Sequence, residues 1–355
     1  MSAADSQGTA PILEVRDLVK HFAIGGQGLF ARSLGRVHAL NGVSLSIGPG
    51  ETLALVGESG CGKTTAARVI ARLYRPDSGV VRFKGTDLAM LKGRKLKSAR
   101  RALQMVFQDP YGSLNPRLPV SAIIGEPLVI HRLGTAAERR HRVETMMVQV
   151  GLNPRDADRY PHQFSGGQRQ RIAIARALVV EPELIIADEP LSALDVSIQS
   201  QILNLLKDIQ EDRGLAFLFI THDLAVVDYF ADRVAVMYLG HIVEIAPREA
   251  LFSAPRHPYS LALIDAIPVP GGGKRRLGTA TAGDVPDPAS PPSGCPFHPR
   301  CTRATEVCRE TMPALAGVPN QGEHQVACHH PLEDGPLEDG SLEDGAGPAT
   351  GAPRQ

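Results

Sequence analysis

The stretch "TLALVGESGCGKTTAARVIARL", Thr52 to Leu73, constrains the fold of this chain more than any other. A continuous apolar run reads as a strand buried on both faces. It runs into a glycine-rich turn and then a helix-forming segment, the context in which G-x4-G-K-[ST] has a mechanism. Gly57 and Gly62 let the turn wrap with its N–H groups pointing inward. Lys63 can then reach the β- and γ-phosphates of a nucleotide, and the Thr64 hydroxyl can take a place on Mg²⁺. Ser59, Gly60, Cys61 and Thr65 complete the cradle, with Cys61 as a small filler.

Two further apolar strands end in polar chemistry. "LIIADEP" closes on Asp188 and Glu189, and "LAFLFI" is followed by "THD" with His222. After a phosphate loop in the same domain, Asp188 is suited to Mg²⁺ and Glu189 to the water that attacks the γ-phosphate. Between these strands, "VSIQSQILNLLKDIQEDRG" predicts a helix with Ile198, Ile202, Leu205 and Ile209 on one face and a stop at Gly214. Alternating strands and helices predict a mostly parallel, doubly wound α/β core, with ligands at the strand tips. Near the N-terminus "ILEVRDLV" and "VHALNGVSLSI" show the period-2 alternation of half-buried strands. "FSGGQRQR", Phe164 to Arg171, opens another helix with Ser and two Gly, which again offers N–H groups to an anion. One domain has no evident need of two phosphate grips.

Lys and Arg total 38 against 38 Asp and Glu in 355 residues, so no global field points to nucleic acid. The basic run "KGRKLKSARR" is read as a solvated helix face. No apolar run is long enough to cross a bilayer, and "MSAADSQGTAP" lacks the features of a secretory signal. The expected setting is the cytosol, where Cys residues serve as thiols or metal ligands. Four zones follow: a periodic apolar domain over 12–267, a Pro/Gly-rich linker over 268–294, a Cys-bearing region over 295–330 and an acidic tail over 331–355 containing "PLEDGPLEDGSLEDG". Cys295, Cys301, Cys308 and Cys328 are spaced C-x5-C-x6-C-x19-C, unlike the tight pairs of common zinc sites. They are read as ligands of an iron–sulfur cluster, of zinc, or as free thiols. His298, His324, His329 and His330 are alternative ligands. Taken alone, a segment from Gly294 to His330 is too poor in apolar residues to offset its ordering entropy, so ligation is the expected source of its order.

The order of "GESGCGKTT", "FQDPYGSLNP", "FSGGQRQR", "LIIADEPLSALD" and "THD" resembles the nucleotide-binding subunit of ATP-binding cassette (ABC) transporters over about 12–267. The family usually has Leu at the position of Phe164. The resemblance implies a P-loop NTPase core with an antiparallel β subdomain and a helical subdomain over about 109–180 that receives a membrane coupling helix. It implies ATP and Mg²⁺, with Thr64, Gln108 and Asp188 at the metal and Glu189, His222 and Gln108 at the reaction. It also implies that Phe22 stacks on adenine, where the residue-level alternative is a core position. In this family two subunits pair head to tail. Ser165, Gly166, Gly167, Gln168 and Asp195 are thereby implied to act across the interface on the partner's ATP, which gives the second grip an owner.

A narrower likeness rests on "GLFARSLGRVHALNGVSL", "FQDPYGSLNPRLPV" and "GCPFHPRC". These resemble the second ATPase subunit of dipeptide and oligopeptide permeases, a group that also serves nickel and glutathione importers. It implies a heterodimer with another ATPase subunit, two transmembrane permease subunits, an extracytoplasmic binding protein, and a place on the cytoplasmic face of the inner membrane. Some members carry a [4Fe–4S] cluster on such a tail. A soluble ABC ATPase of translation or DNA repair is the rival reading, but those chains usually carry two cores or long inserted arms.

Overall fold

The computed structural model describes residues 10–25, 35–192, 194–267, 283–319 and 321–333. The Gly-rich insertion after Phe22, most of the linker and all but the first residues of the acidic repeat lie outside them.

The alternating N-terminal segments form β1 (Leu13–Ile24) and β2 (Gly35–Ile47), paired antiparallel, with Leu13, Val15, Val43, Leu45 and Ile47 turned into the core. All of β3 (Thr52–Val56) is buried, as its unbroken apolar run requires, and it feeds the phosphate loop and α1 (Lys63–Ile70). Next come β4 (Ser78–Phe83) and β5 (Thr86–Asp87), which complete a small sheet of order β2-β1-β4-β5. The basic run forms α2 (Gly93–Ala102), none of whose residues is buried. It leads into β6 (Leu103–Val106).

A helical subdomain follows. It comprises α3 (Pro110–Ser113), α4 (Val120–Ile130), α5 (Ala136–Gln149) and α6 (Gly166–Leu178). Ile124, Leu128, Met147, Ile172 and Leu178 share its core, and Phe164 is buried with them, so the bulkier ring in place of Leu is absorbed by apolar packing.

The chain then returns to the main sheet through β7 (Leu184–Asp188), α7 (Val196–Arg213), β8 (Ala216–Ile220), α8 (Leu224–Phe230), β9 (Arg233–Tyr238) and β10 (His241–Pro247). Strands β6, β7, β8, β3 and β9 run parallel, as the strand–helix alternation predicts. Gly57, Asp188 and Thr221 therefore leave the sheet at one edge. In α7 the buried seam is Ile202, Leu203, Leu206 and Ile209, with Ile198 and Leu205 only partly buried. The expected face is thus rotated toward Leu206, because Ile202, Leu206 and Ile209 follow the i, i+4, i+7 row. The helix stops at Gly214 in the left-handed region (φ +62), as expected.

Beyond α9 (Arg248–Ser253) and α10 (Pro258–Asp265), the Cys-bearing segment contains α11 (Glu306–Glu310), β11 (Ala316–Gly317) and β12 (Gln325–Val326). β12 pairs antiparallel with β10 through Glu244↔Val326 and Ile245↔Gln325, so the segment extends the main sheet. Cys295, Phe297 and Cys308 are buried in one cluster with Val234, Tyr238 and Tyr259. The segment therefore has a source of order other than ligation. Its few apolar residues are completed by the apolar surface of the core. Among the described residues no helix is long and apolar enough to cross a membrane.

Candidate functional site

The phosphate loop is a cradle that admits only glycine at its two hinges. A Cβ at Gly57 (φ +152) would lie 2.2 Å from Met237 O, and one at Gly62 (φ +111) 2.3 Å from Ala39 O. Cys61 packs beneath the loop, 2% exposed, and burial pushes its thiol up, which suits a filler. The Lys63 ammonium is folded back into the loop, donating to Gly57 O (2.7 Å) and Glu58 O (2.9 Å). Thr64 Oγ1 donates to Asp188 Oδ1 at 3.0 Å. Burial pushes the Asp188 carboxyl up, against the opposing hydrogen bond from Thr64 and the charge of Arg68.

Above this floor lies a cavity of about 490 Å³. Its walls bring together Phe22, Ser59, Gly60, Gly62, Lys63, Thr64, Thr65, Gln108, Glu189 and His222, residues drawn from across the first two-thirds of the chain. Glu189 follows β7 with φ +46, a left-handed conformation that is strained for a side-chain-bearing residue. Its amide donates to Ile220 O at 2.9 Å, tying it to β8. Glu189 Oε2 accepts from Gln108 Nε2 at 2.8 Å, and His222 Nδ1 lies 3.5 Å from Oε1. Phe22 is half-buried on the cavity wall, edge-on to Tyr74 at 5.6 Å between ring centroids. Val37 and Ala39 also line the wall, and sequence patterning offered no signal for them.

Ser165, Gly166, Gly167, Gln168 and Asp195 do not line this cavity. Ser165 caps α6 in a reciprocal box: its Oγ accepts from Gln168 N–H (3.3 Å) and Gln168 Oε1 accepts from Ser165 N–H (3.0 Å). Gly167 is required by close packing on α7, since a Cβ there would lie 2.5 Å from Ile198 Cγ2. Asp195, at the start of α7, is exposed. The SGGQ segment and Asp195 thus lie outside the cavity over this chain's own phosphate loop.

A second cavity gathers the tail cysteines. Cys295, Cys301, Cys308 and Cys328 line one narrow space of about 10 Å³ together with His257, His298, His329 and His330. None of the four is paired in a disulfide, and burial pushes the Cys328 thiol up to about 11. His257 Nδ1 accepts from Tyr259 N–H at 3.0 Å, which leaves the proton on Nε2. That nitrogen is buried and has no protein partner. Burial holds His257 down to about 4, hence neutral. His324 is outside this cavity: it donates from Nε2 to Glu244 Oε1 at 2.7 Å, with both side chains fully buried. His324 thus partners Glu244 through Nε2, while its Nδ1 is buried without a protein partner. Among the described residues no group of three or more His, Cys, Asp or Glu is arranged to hold a single metal ion.

Comparison with known proteins agrees with this geometry. The family model "ABC transporter" matches residues 40–192, and "Oligopeptide/dipeptide transporter, C-terminal region" matches 243–308. The chain is 51% identical over 332 residues to the oligopeptide transport ATP-binding protein AppF of Bacillus subtilis, covering 93% of this chain and 99% of that protein. The chain belongs to the ATP-binding subunits of ABC transporters. It is also 52% identical over 318 residues to the probable peptide ABC transporter ATP-binding protein y4tS of Sinorhizobium fredii, covering 90% of this chain and 89% of that one. The dimeric post-hydrolysis structure of the cassette MJ0796, bound to ADP and Pi, matches with TM-score 0.59 and 31% identity over 66% of this chain and 98% of that chain. This ABC subunit is accordingly an ATPase, taking ATP with Mg²⁺.

Proposed function

We propose that the chain powers an importer of di- or oligopeptides, hydrolysing ATP at a composite site shared with a second, different ATPase subunit. The observation that carries the chemistry is the Glu189 carboxylate, set at the cavity wall by an unusual backbone conformation, held by Gln108 and adjacent to His222. Glu189 takes the role of polarising the attacking water, and His222 that of contacting the γ-phosphate. Lys63, now satisfied by loop carbonyls, transfers its hydrogen bonds to the β- and γ-phosphates. Phe22 offers its ring to adenine. Thr64, Asp188 and Gln108 are the residues that would hold Mg²⁺, whose part is to offset phosphate charge; the oxygen pair of Thr64 and Asp188 fits it. Glu189→Gln should bind ATP and lose turnover. Retained turnover would remove Glu189 from this role.

The separation of Ser165–Gln168 and Asp195 from the cavity supports their acting on the partner's nucleotide, and the dimeric cassette MJ0796 supports such pairing. Peptide cargo is supported by the relatives that carry oligopeptide or peptide transport in their names, and by the matching C-terminal region. In this reading two permease subunits and an extracytoplasmic binding protein complete the machine, and the chain sits on the cytoplasmic face of the inner membrane. Deleting the chain should abolish uptake of a labelled oligopeptide, and nickel or glutathione uptake lost in its place would redirect the assignment.

The tail cavity is proposed to hold a [4Fe–4S] cluster, with zinc as the alternative. Four thiols without a carboxylate suit a thiolate-bound group, and His257, whose buried Nε2–H has no protein partner, lines the same space. The space of about 10 Å³ holds roughly one water, so loading requires the thiol rotamers to open. Anaerobically purified protein should be brown with about four irons per chain. Colourless protein with stoichiometric zinc would decide for the alternative.

A further inference from the structure

Glu58 occupies the phosphate loop between Gly57 and Ser59, and three contacts fix it. Its amide donates to Tyr259 Oη at 2.9 Å, and its carbonyl accepts from the Lys63 ammonium at 2.9 Å. Its carboxylate takes a two-point bond from Arg300, with Nη1 2.7 Å from Oε2 and Nη2 3.0 Å from Oε1. Arg300 is 242 residues away in sequence. Its guanidinium lies 5.8 Å from the Tyr238 ring and 5.9 Å from that of Phe297, and its side chain is only 7% exposed. Charge-assisted and two-point, with the guanidinium buried and the Glu58 carboxylate 28% exposed, this pair belongs to the strong class of hydrogen-bonded ion pairs.

We propose that Arg300 is a positioning residue for the phosphate loop, so that nucleotide affinity in the core depends on the docked tail. A charge effect supports this: a carboxylate in a loop that must receive a polyphosphate opposes the incoming charge, and the Arg300 guanidinium paired with it offsets that charge. Arg300 and Phe297 lie inside "CPFHPRC", between Cys295 and Cys301, so the turn that presents two thiols to the tail cavity also carries the clamp. The Arg300–Glu58 pair stands whether or not that cavity holds a metal.

The test is titration of the purified full-length chain with a fluorescent ATP analogue, alongside steady-state ATPase assays of the assembled transporter. Arg300→Ala should weaken nucleotide binding about tenfold, as expected for a lost charge-assisted pair beside an anion site. The loss should appear in the KM for ATP with kcat little changed, because the interaction serves the bound ground state as well as the transition state. Adding Glu58→Gln to Arg300→Ala should recover most of the affinity, and Arg300→Lys should recover part. Affinity within twofold of wild type in folded Arg300→Ala overturns the proposal. An equal loss in the single and double variants overturns it too, since the tail would then act by packing alone. If Arg300→Ala does not fold, Arg300→Met with Glu58→Gln keeps the packing and removes both charges. Near-wild-type binding there supports the charge account, and a tenfold loss in the folded double variant contradicts it.

Discussion

The nucleotide cavity and the thiol cavity are built on opposite plans. The first is wide, about 490 Å³, and walled by loop amides, Lys63, Gln108, Glu189 and His222. The second is narrow, about 10 Å³, and walled by sulfur, imidazole and the Phe297 ring. A wide cavity suits a ligand that enters and leaves with each cycle, whereas a narrow sulfur-lined one suits a resident group or none. Their connection is one ion pair, Arg300 to Glu58, together with the Tyr259 hydroxyl on the Glu58 amide. A tail that would otherwise be an appendage thereby touches the loop that holds phosphate.

Four perturbations separate or sharpen this contrast, beginning with the largest expected effect. Glu189→Gln should lower turnover by at least about a hundredfold while preserving ATP affinity, a general-base loss confined to the nucleotide cavity. Steady-state phosphate release and equilibrium nucleotide binding check the two halves. Gly62→Ala should abolish nucleotide binding and destabilise the fold by roughly 2–3 kcal/mol, because the new Cβ meets backbone at 2.3 Å in a left-handed conformation. Chemical denaturation with nucleotide titration reads both. Cys301→Ser should remove any bound metal and also weaken ATP binding severalfold, on the order of 1 kcal/mol, by loosening the turn that carries Arg300. Metal analysis and nucleotide affinity on one preparation decide it, and an unchanged affinity would make the two cavities independent. Phe22→Ala should raise the KM for ATP about threefold to tenfold, with GTP less affected, as expected for loss of a single stacking ring.

Much of the nucleotide cavity is legible because its residues sit where local rules are strong. Gly57 and Gly62 are demanded by the loop, Lys63 and Thr64 by phosphate and metal, and Asp188 and His222 follow apolar runs that could only be strands. The SGGQ segment was legible as a helix start, and its capping box explains Ser165 and Gln168 even before a partner is invoked. The tail resisted reading for three reasons. β11 and β12 are two residues each, too short for period-2 alternation to register. Arg300 and Glu58 are joined by tertiary packing that no spacing encodes. His324 is a ligand type by sequence, and its Nε2 bonds the buried Glu244, which also accepts the amides of Arg256 (2.7 Å) and His257 (2.9 Å), a contact that no spacing encodes. That carboxylate docks the segment to β10 and accounts for order that composition alone assigned to ligation. In α7 the choice between Leu205 and Leu206 turned on a rotation of about 100° per residue, which tertiary packing decides.

The central claim is that the chain's two phosphate grips serve different nucleotides. Ser165→Arg in this chain, assayed with its partner ATPase and permease, tests it most directly. The isolated variant should bind ATP with an affinity within about twofold of wild type, since Ser165 is absent from its own cavity. Turnover of the assembled transporter should fall by at least about a hundredfold, because an Arg at the helix start obstructs the anion grip presented to the partner's ATP. Weakened ATP binding by the isolated chain, or undiminished turnover in the assembly, would contradict the claim.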